Sequence, residues 1–346
     1  MKVGIPRALL YHHYGDCWFE FLESIGVEPV LSGETTGKII TNGAVKADNE
    51  TCLPVKVFSG HMLSLKDSVD AVLVPRVVSQ RQGTCSCPKF LGLPDLARAL
   101  DCELPMVVAP RMDIADRWSL WAREWYVAAR AFGAGRARSA AAVLKLLRAL
   151  EQAERAEQTE QVGEENGLLE PDMSIGVAGH LYNMHDGRVS LGMLDKLRAM
   201  GATPVTVDEV DARVARKQAE TLSRRVFWGF ESHLAGAALH WSRARAVSGI
   251  LFVTSFACGP GSMVGALLED QLSREGSVPL MTITLDEHAA EAGMVTRLEA
   301  FVDMLRHASR AAARAGQAPS RESRNPMDER LLSDMRVTQT CEVKSH

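Results

Sequence analysis

The chain has 346 residues, of which 46% are hydrophobic and 24% charged. This composition is ordinary for a globular protein and sufficient for a buried core without disulfides to hold it. Lys plus Arg is 39 and Asp plus Glu is 43, so the formal net charge is −4, which leaves no global basic field for nucleic acid.

From the N-terminus, short β-branched runs alternate with helical stretches. Strands are expected over 2–5, 28–31, 69–78 and 105–109, with Pro75 at the end of the third. Helices are expected over 15–25, 53–65, 89–100, 114–132 and 139–160. The polar segment 151–169, with Gly163, Asn166 and Gly167, reads as a domain boundary. A second series follows, with strands over 174–178, 204–207, 250–255 and 279–285 and helices over 189–200, 222–244, 261–274 and 296–315. Beyond 317 the chain is polar and aperiodic, the pattern of a disordered tail.

Strands alternating with helices imply mostly parallel sheets covered on both faces. The expected fold class is α/β, with two Rossmann-like domains, 1–165 and 172–316, a cleft between them and a tail over 317–346. Ligands of such sheets bind beyond the carboxyl ends of the strands. Chemistry is therefore expected in the loops after Val78, Ser255 and Leu285.

The first residues do not read as a signal peptide, because Pro6 and Arg7 interrupt the apolar run and no cleavage site follows. The uncharged stretch 249–268 carries Gly259-Pro260-Gly261 in its middle, which would break a spanning helix. A cytoplasmic location is expected, with neither membrane nor nucleic acid as partner.

There are seven cysteines: Cys17, Cys52, Cys85, Cys87, Cys102, Cys258 and Cys341. An odd number in a chain of cytosolic character argues against a disulfide framework. Cys52, Cys87 and Cys258 are each followed within two residues by proline, and each precedes an expected helix. Proline is favoured in the first helical turn, so all three thiols are expected at helix starts. Unpaired N–H groups and the helix dipole there stabilise a thiolate or an anionic metal–sulfur cluster. The plainer alternative is that each cysteine is a small buried hydrophobe.

The stretches Gly4-Ile-Pro-Arg-Ala-Leu-Leu-Tyr11, Glu50-Thr-Cys-Leu-Pro-Val-Lys56 and Cys87-Pro-Lys-Phe-Leu-Gly-Leu-Pro-Asp95 resemble the 2-hydroxyacyl-CoA dehydratase component D superfamily, in particular its acyl-CoA dehydratase activase-related branch. So do Gly179-His-Leu-Tyr-Asn183, Thr254-Ser-Phe-Ala-Cys-Gly-Pro260, Leu285-Asp-Glu-His288 and the run from Glu291 to Phe301. The resemblance extends over about residues 1–307. It implies a [4Fe-4S] cluster held by three cysteines between Rossmann-like domains, and an ATP-hydrolysing activase that delivers low-potential electrons. Cys52, Cys87 and Cys258 fall on the motif cysteines, while Cys85 is either a bystander or a fourth ligand. A second dehydratase-like subunit or a second copy of the chain is a further candidate partner.

The implied chemistry is low-potential electron transfer, or reductive and radical chemistry of the dehydratase type, as a lyase or an ATP-dependent reductase component. The chain is shorter than a typical dehydratase subunit and shows no separate acyl-CoA pocket signature, so no catalytic residue is assigned. Two other readings stand beside it: a non-catalytic accessory or cluster-carrier protein that docks an activase, and a cluster-free nucleotide- or phosphate-binding α/β protein. The Gly-rich run from Gly259 to Gly265 suits a phosphate cradle but does not match the dinucleotide fingerprint, and no P-loop lysine is present.

Further candidates to line the cleft are His12, His180, Asn183, Asp286, Glu287, His288 and Glu291. The acidic group reads first as a helix-start network, with Asp286 or Glu287 capping the turn and Glu291 pairing with Arg297. A divalent metal site or proton transfer is the other reading. The stripe of Trp118, Trp121 and Trp125 reads as packing.

Overall fold

Apolar runs buried on both faces, such as 71–73 and 249–255, make parallel strands, and the chain has ten strands among the described residues. They are β1 (Lys2–Ile5), β2 (Glu28–Leu31), β3 (Ala71–Leu73), β4 (Arg76–Ser79), β5 (Met106–Val108), β6 (Arg111–Asp113), β7 (Ser174–Gly179), β8 (Thr203–Thr206), β9 (Gly249–Ser255) and β10 (Leu280–Leu285). The structure, a computed structural model, describes residues 1–79, 83–101, 103–113, 118–159, 173–276 and 278–316. Most of the expected boundary segment, including Gly163, lies outside these residues, as do the tail 317–346, Cys102 and Cys341.

Two four-stranded sheets run β2-β1-β3-β5 and β8-β7-β9-β10. Every pairing in both is parallel. Counted within each half, the order is the same: second strand, first, third, fourth. The fold is therefore α/β and Rossmann-like, as the alternation of elements predicts.

Pro75 follows the end of β3 at Leu73, as expected, but the chain is taken up again as a strand beyond it. The ladder continues past it, with Val74 N–H donating to Val108 O at 3.0 Å and Arg76 N–H to Pro110 O at 2.9 Å. Beyond the break β4 pairs with β6 as a two-stranded extension. Pro75 and Pro110 each remove one donor, which sets the extension apart from the main sheet.

Each half joins its second and third strands through a pair of crossing helices. In the first half these are Gly37–Lys46 and Leu53–Leu65; in the second, Ala212–Ala219 and Gly229–Ala244. A Cβ atom at Gly43 would lie 1.9 Å from Lys56 O, and one at Gly60 2.0 Å from Ile39 O. At Gly236 it would lie 1.8 Å from Ala215 O. Backbone thus meets backbone at a glycine in both crossings. Gly60 and Gly236 also stand equally far along their helices from the N-caps Cys52 and Trp228. The two halves follow one plan.

Met1–Leu305 packs as one unit that contains both sheets. Trp125 is completely buried and meets Phe21 edge-on at 5.0 Å, and Trp121 is also buried, so those two tryptophans pack as expected. The helix expected over 89–100 is two, Pro88–Leu91 and Leu93–Leu100, divided at Gly92. No helix among the described residues is long and apolar enough to cross a membrane.

Candidate functional site

In a sheet of this order the connections leave the first and third strands in opposite directions, and a crevice opens between them. The crevices of the two sheets contribute to one pocket. Leu9 and Cys87 reach it from the loops after β1 and β4, His180 and Cys258 from those after β7 and β9. The starts of helices Leu53–Leu65 and Gly229–Ala244 add Cys52 and Glu231.

All three proline-associated cysteines stand where the spacing predicts. Cys52 is the N-cap of Leu53–Leu65, Cys87 of Pro88–Leu91 and Cys258 of Gly259–Glu275, each with proline in the first turn. Gly261 N–H donates to Cys258 Sγ at 3.4 Å.

The expected thiolate character is corrected by the surroundings. Burial pushes Cys52 up, and pushes Cys87 and Cys258 up to about 12. Backbone N–H groups of Val55, Phe90 and Gly261 pull the other way but are outweighed. The Glu231 carboxylate and the neighbouring sulfurs raise Cys87 and Cys258 further. Taking a charge out of water costs more here than the helix starts return.

The rest of the wall is aromatic and polar. Tyr182 stacks on His180 with ring centres 4.8 Å apart, and Phe90 meets Tyr182 edge-on at 6.2 Å. Burial holds the Tyr182 phenol well above its ordinary range. Ser255 Oγ donates to Asn183 Oδ1 at 3.0 Å. Lys89 lines the pocket and reaches Thr51 Oγ1 at 3.4 Å; its charge favours the thiolate of Cys52. His180 Nε2 and Glu231 Oε1 are 3.5 Å apart, with both side chains almost fully buried.

Of the residues singled out in the sequence, the pocket thus brings together Cys52, Cys87, Cys258, His180 and Asn183. The others do not line it. Cys85 is exposed, and its backbone forms a parallel bridge with Trp228. His12 belongs to a separate buried polar group. Burial pushes it down to about 4, against the pull of the Asp186 carboxylate. In the same group the Thr35 hydroxyl donates to Asp186 and lies 2.9 Å from His61 Nε2.

Asp286 caps its turn as expected, accepting His288 N–H at 2.7 Å. Glu287 forms a part-buried ion pair with Lys56. Glu291 pairs with Lys196 at 2.8 Å and not with Arg297, which donates to Thr282 O at 2.6 Å.

Glu231 and Lys89 are the pocket residues that sequence reasoning missed. Glu231 lies in a stretch read only as a helix over 222–244. The sequence signal that could have found it is Gly236, placed on its helix as Gly60 is placed after Cys52.

Among the described residues, no three His, Cys, Asp or Glu side chains are grouped to hold a metal ion. A family model described as CoA enzyme activase uncharacterised domain matches residues 2–210, a span that includes Cys52 and Cys87 and ends before Cys258. No curated protein matches the sequence. Matching solved structures include the SBP FpvC from Pseudomonas aeruginosa in complex with Mn2+, 13% identical, covering 89% of this chain and 99% of that chain with a TM-score of 0.29. The same protein with a Ni2+ ion is 14% identical and covers 89% and 97%, with a TM-score of 0.26. At these TM-scores the likeness carries no argument.

Proposed function

Because the chain belongs to the CoA enzyme activase uncharacterised domain family, we propose that Cys52, Cys87 and Cys258 hold a [4Fe-4S] cluster. The protein then exchanges low-potential electrons with an ATP-hydrolysing activase in the cytoplasm, in the manner of the 2-hydroxyacyl-CoA dehydratase component D proteins that its motifs resemble. The observation that supports this is the meeting of three cysteine helix starts, two from the first half and one from the second, in one pocket.

The donor set suits the group. Each cysteine of a cubane binds a different iron, so the sulfurs stand apart, and the lack of a grouping for a single ion does not oppose the reading. N–H groups at the helix starts, with Lys89, offset the negative charge that thiolates and a cluster bring. Thiols pushed up to about 12 carry their protons at neutral pH, so loading the site releases protons. Phe90 and Tyr182 give the pocket an aromatic wall beside the sulfurs. When bound, such a cluster supplies one-electron transfer at a potential set by burial and by hydrogen bonds to sulfur.

Anaerobic reconstitution with iron and sulfide, followed by elemental analysis and absorbance spectroscopy, tests the reading. About four irons and four sulfides per chain are expected. A chain that takes up neither contradicts it.

A further inference from the structure

We propose that Glu231 supplies the fourth ligand, a carboxylate oxygen, to the iron that no cysteine holds. This rests on the cluster reading above and goes beyond its three cysteines.

The duplicated plan provides four helix starts around the pocket. In each half one belongs to the second crossing helix and one follows the third strand. Three of the four carry cysteine at the N-cap: Cys52, Cys87 and Cys258. At the fourth the N-cap is Trp228. Its backbone is committed to the loop that carries Cys87: Cys85 N–H donates to Phe227 O at 2.9 Å, and Gly229 N–H to Cys85 O at 3.2 Å. The first turn of that helix presents Glu231 to the pocket instead. The same backbone pairing ties the Cys87 loop to the Glu231 turn, so the two donors are held in fixed relation.

Glu231 is 5% exposed. Among the described residues its close ionisable neighbour is His180, 3.5 Å away, which is 4% exposed and whose Nε2 makes no hydrogen bond. Holding a carboxylate in so enclosed a place has a desolvation cost. Coordination to iron removes that cost. Glu231 lines the same pocket as Cys52, Cys87 and Cys258. A carboxylate is a harder ligand than a thiolate, so the iron it holds is electronically distinct from the other three.

The test compares wild type with Glu231→Ala, Glu231→Gln and Glu231→Cys, all reconstituted anaerobically with iron and sulfide. The readouts are iron content, the Mössbauer and EPR spectra of the reduced protein, and the rate at which ferricyanide removes one iron to leave a [3Fe-4S] signal. The wild type should show one iron distinct from the rest. Glu231→Ala and Glu231→Gln should lose that iron to ferricyanide at least about tenfold faster. Glu231→Cys should make the four irons more alike and slow the loss. The Gln variant keeps the side chain's bulk, and thermal melts of the cluster-free forms report whether each variant folds. An iron-loaded wild type whose spectra and oxidative loss match those of all three variants would overturn the assignment of Glu231 and leave the cysteine ligands standing. A wild type that holds no iron would overturn both.

Discussion

The two sheets share one strand order but furnish the pocket differently. In the first half the third strand is broken at Pro75 and extended by β4, and Cys87 lies beyond that extension, with Cys52 on the crossing helix. In the second half β9 is unbroken and buried along its whole length; Cys258 follows directly, and the crossing helix offers Glu231. Scaffold and donor set are therefore separable. Glycine contacts fix the helix crossing in both halves, while the residue at the helix start varies with the chemistry it serves.

The equivalence of the two crossings is the part that a single substitution can break most severely. Gly60→Ala and Gly236→Ala each drive a methyl group into a backbone carbonyl, at 2.0 and 1.8 Å, where no rotamer change gives relief. Each should cost about 3 kcal/mol or more, the upper end of overpacking effects, as read from urea melts of the cluster-free chain. A neutral Gly236→Ala beside a damaging Gly60→Ala would mean that the halves do not share this contact.

The next effect probes how the halves are tied together. Lys56, on the crossing helix of the first half, pairs with Glu287, after the last strand of the second, and their side chains are 5% and 13% exposed. Glu287→Gln leaves the ammonium with a neutral acceptor in place of a carboxylate and should cost about 1–2 kcal/mol. Replacing both by Met and Leu should recover most of that loss. A melt unchanged by Glu287→Gln would show that the pair is not held in solution.

Much of this plan is written in the sequence, because it rests on local signals. β-branched runs mark the strands, and proline after cysteine marks three helix starts. What escapes is set by distant contacts. The helix Gly37–Lys46 contains two glycines, with Ile39, Ile40, Thr41 and Val45, all weak helix formers; packing against Leu53–Leu65 holds it, and no periodicity announces that. Pro75 reads as a strand end because a proline cannot donate, yet its neighbours still find partners on the adjacent strand. The pairing of Glu291 with Lys196 and not Arg297 joins residues far apart in the chain. Glu231 carries no motif of its own, and only the repeated crossing distinguishes it.

Within the first half, Cys85 and Cys87 offer a sharper contrast. Cys85 is exposed; Cys87 is half-buried and is pushed up to about 12. Iodoacetamide at pH 8 should label Cys85 at least about a hundredfold faster than Cys87 in the cluster-free protein, since the thiolate is the reactive form. Mass spectrometry of timed samples reads this, and equal rates would mean that the pocket is open to solvent.

The smallest effect is a pH dependence that the halves should share. An unfolded chain releases thiol protons near pH 9, whereas Cys87 and Cys258 hold theirs to about 12. The folded state binds more protons across that interval. Stability from this source is complete below about pH 9 and is lost as pH rises toward 12. Cys87→Ala and Cys258→Ala should each flatten the alkaline fall in melting temperature by a similar amount. A slope untouched by either would place its origin elsewhere.

The central claim is that three helix-start thiols from both halves, and not the nearby Cys85, hold one cluster. Iron and sulfide content after anaerobic reconstitution of Cys85→Ser beside Cys52→Ser, Cys87→Ser and Cys258→Ser tests it most directly. The account predicts that Cys85→Ser keeps the wild-type content of about four irons per chain, while each of the other three loses most of it. Equal loss from Cys85→Ser and Cys87→Ser, or full retention by Cys258→Ser, would contradict it.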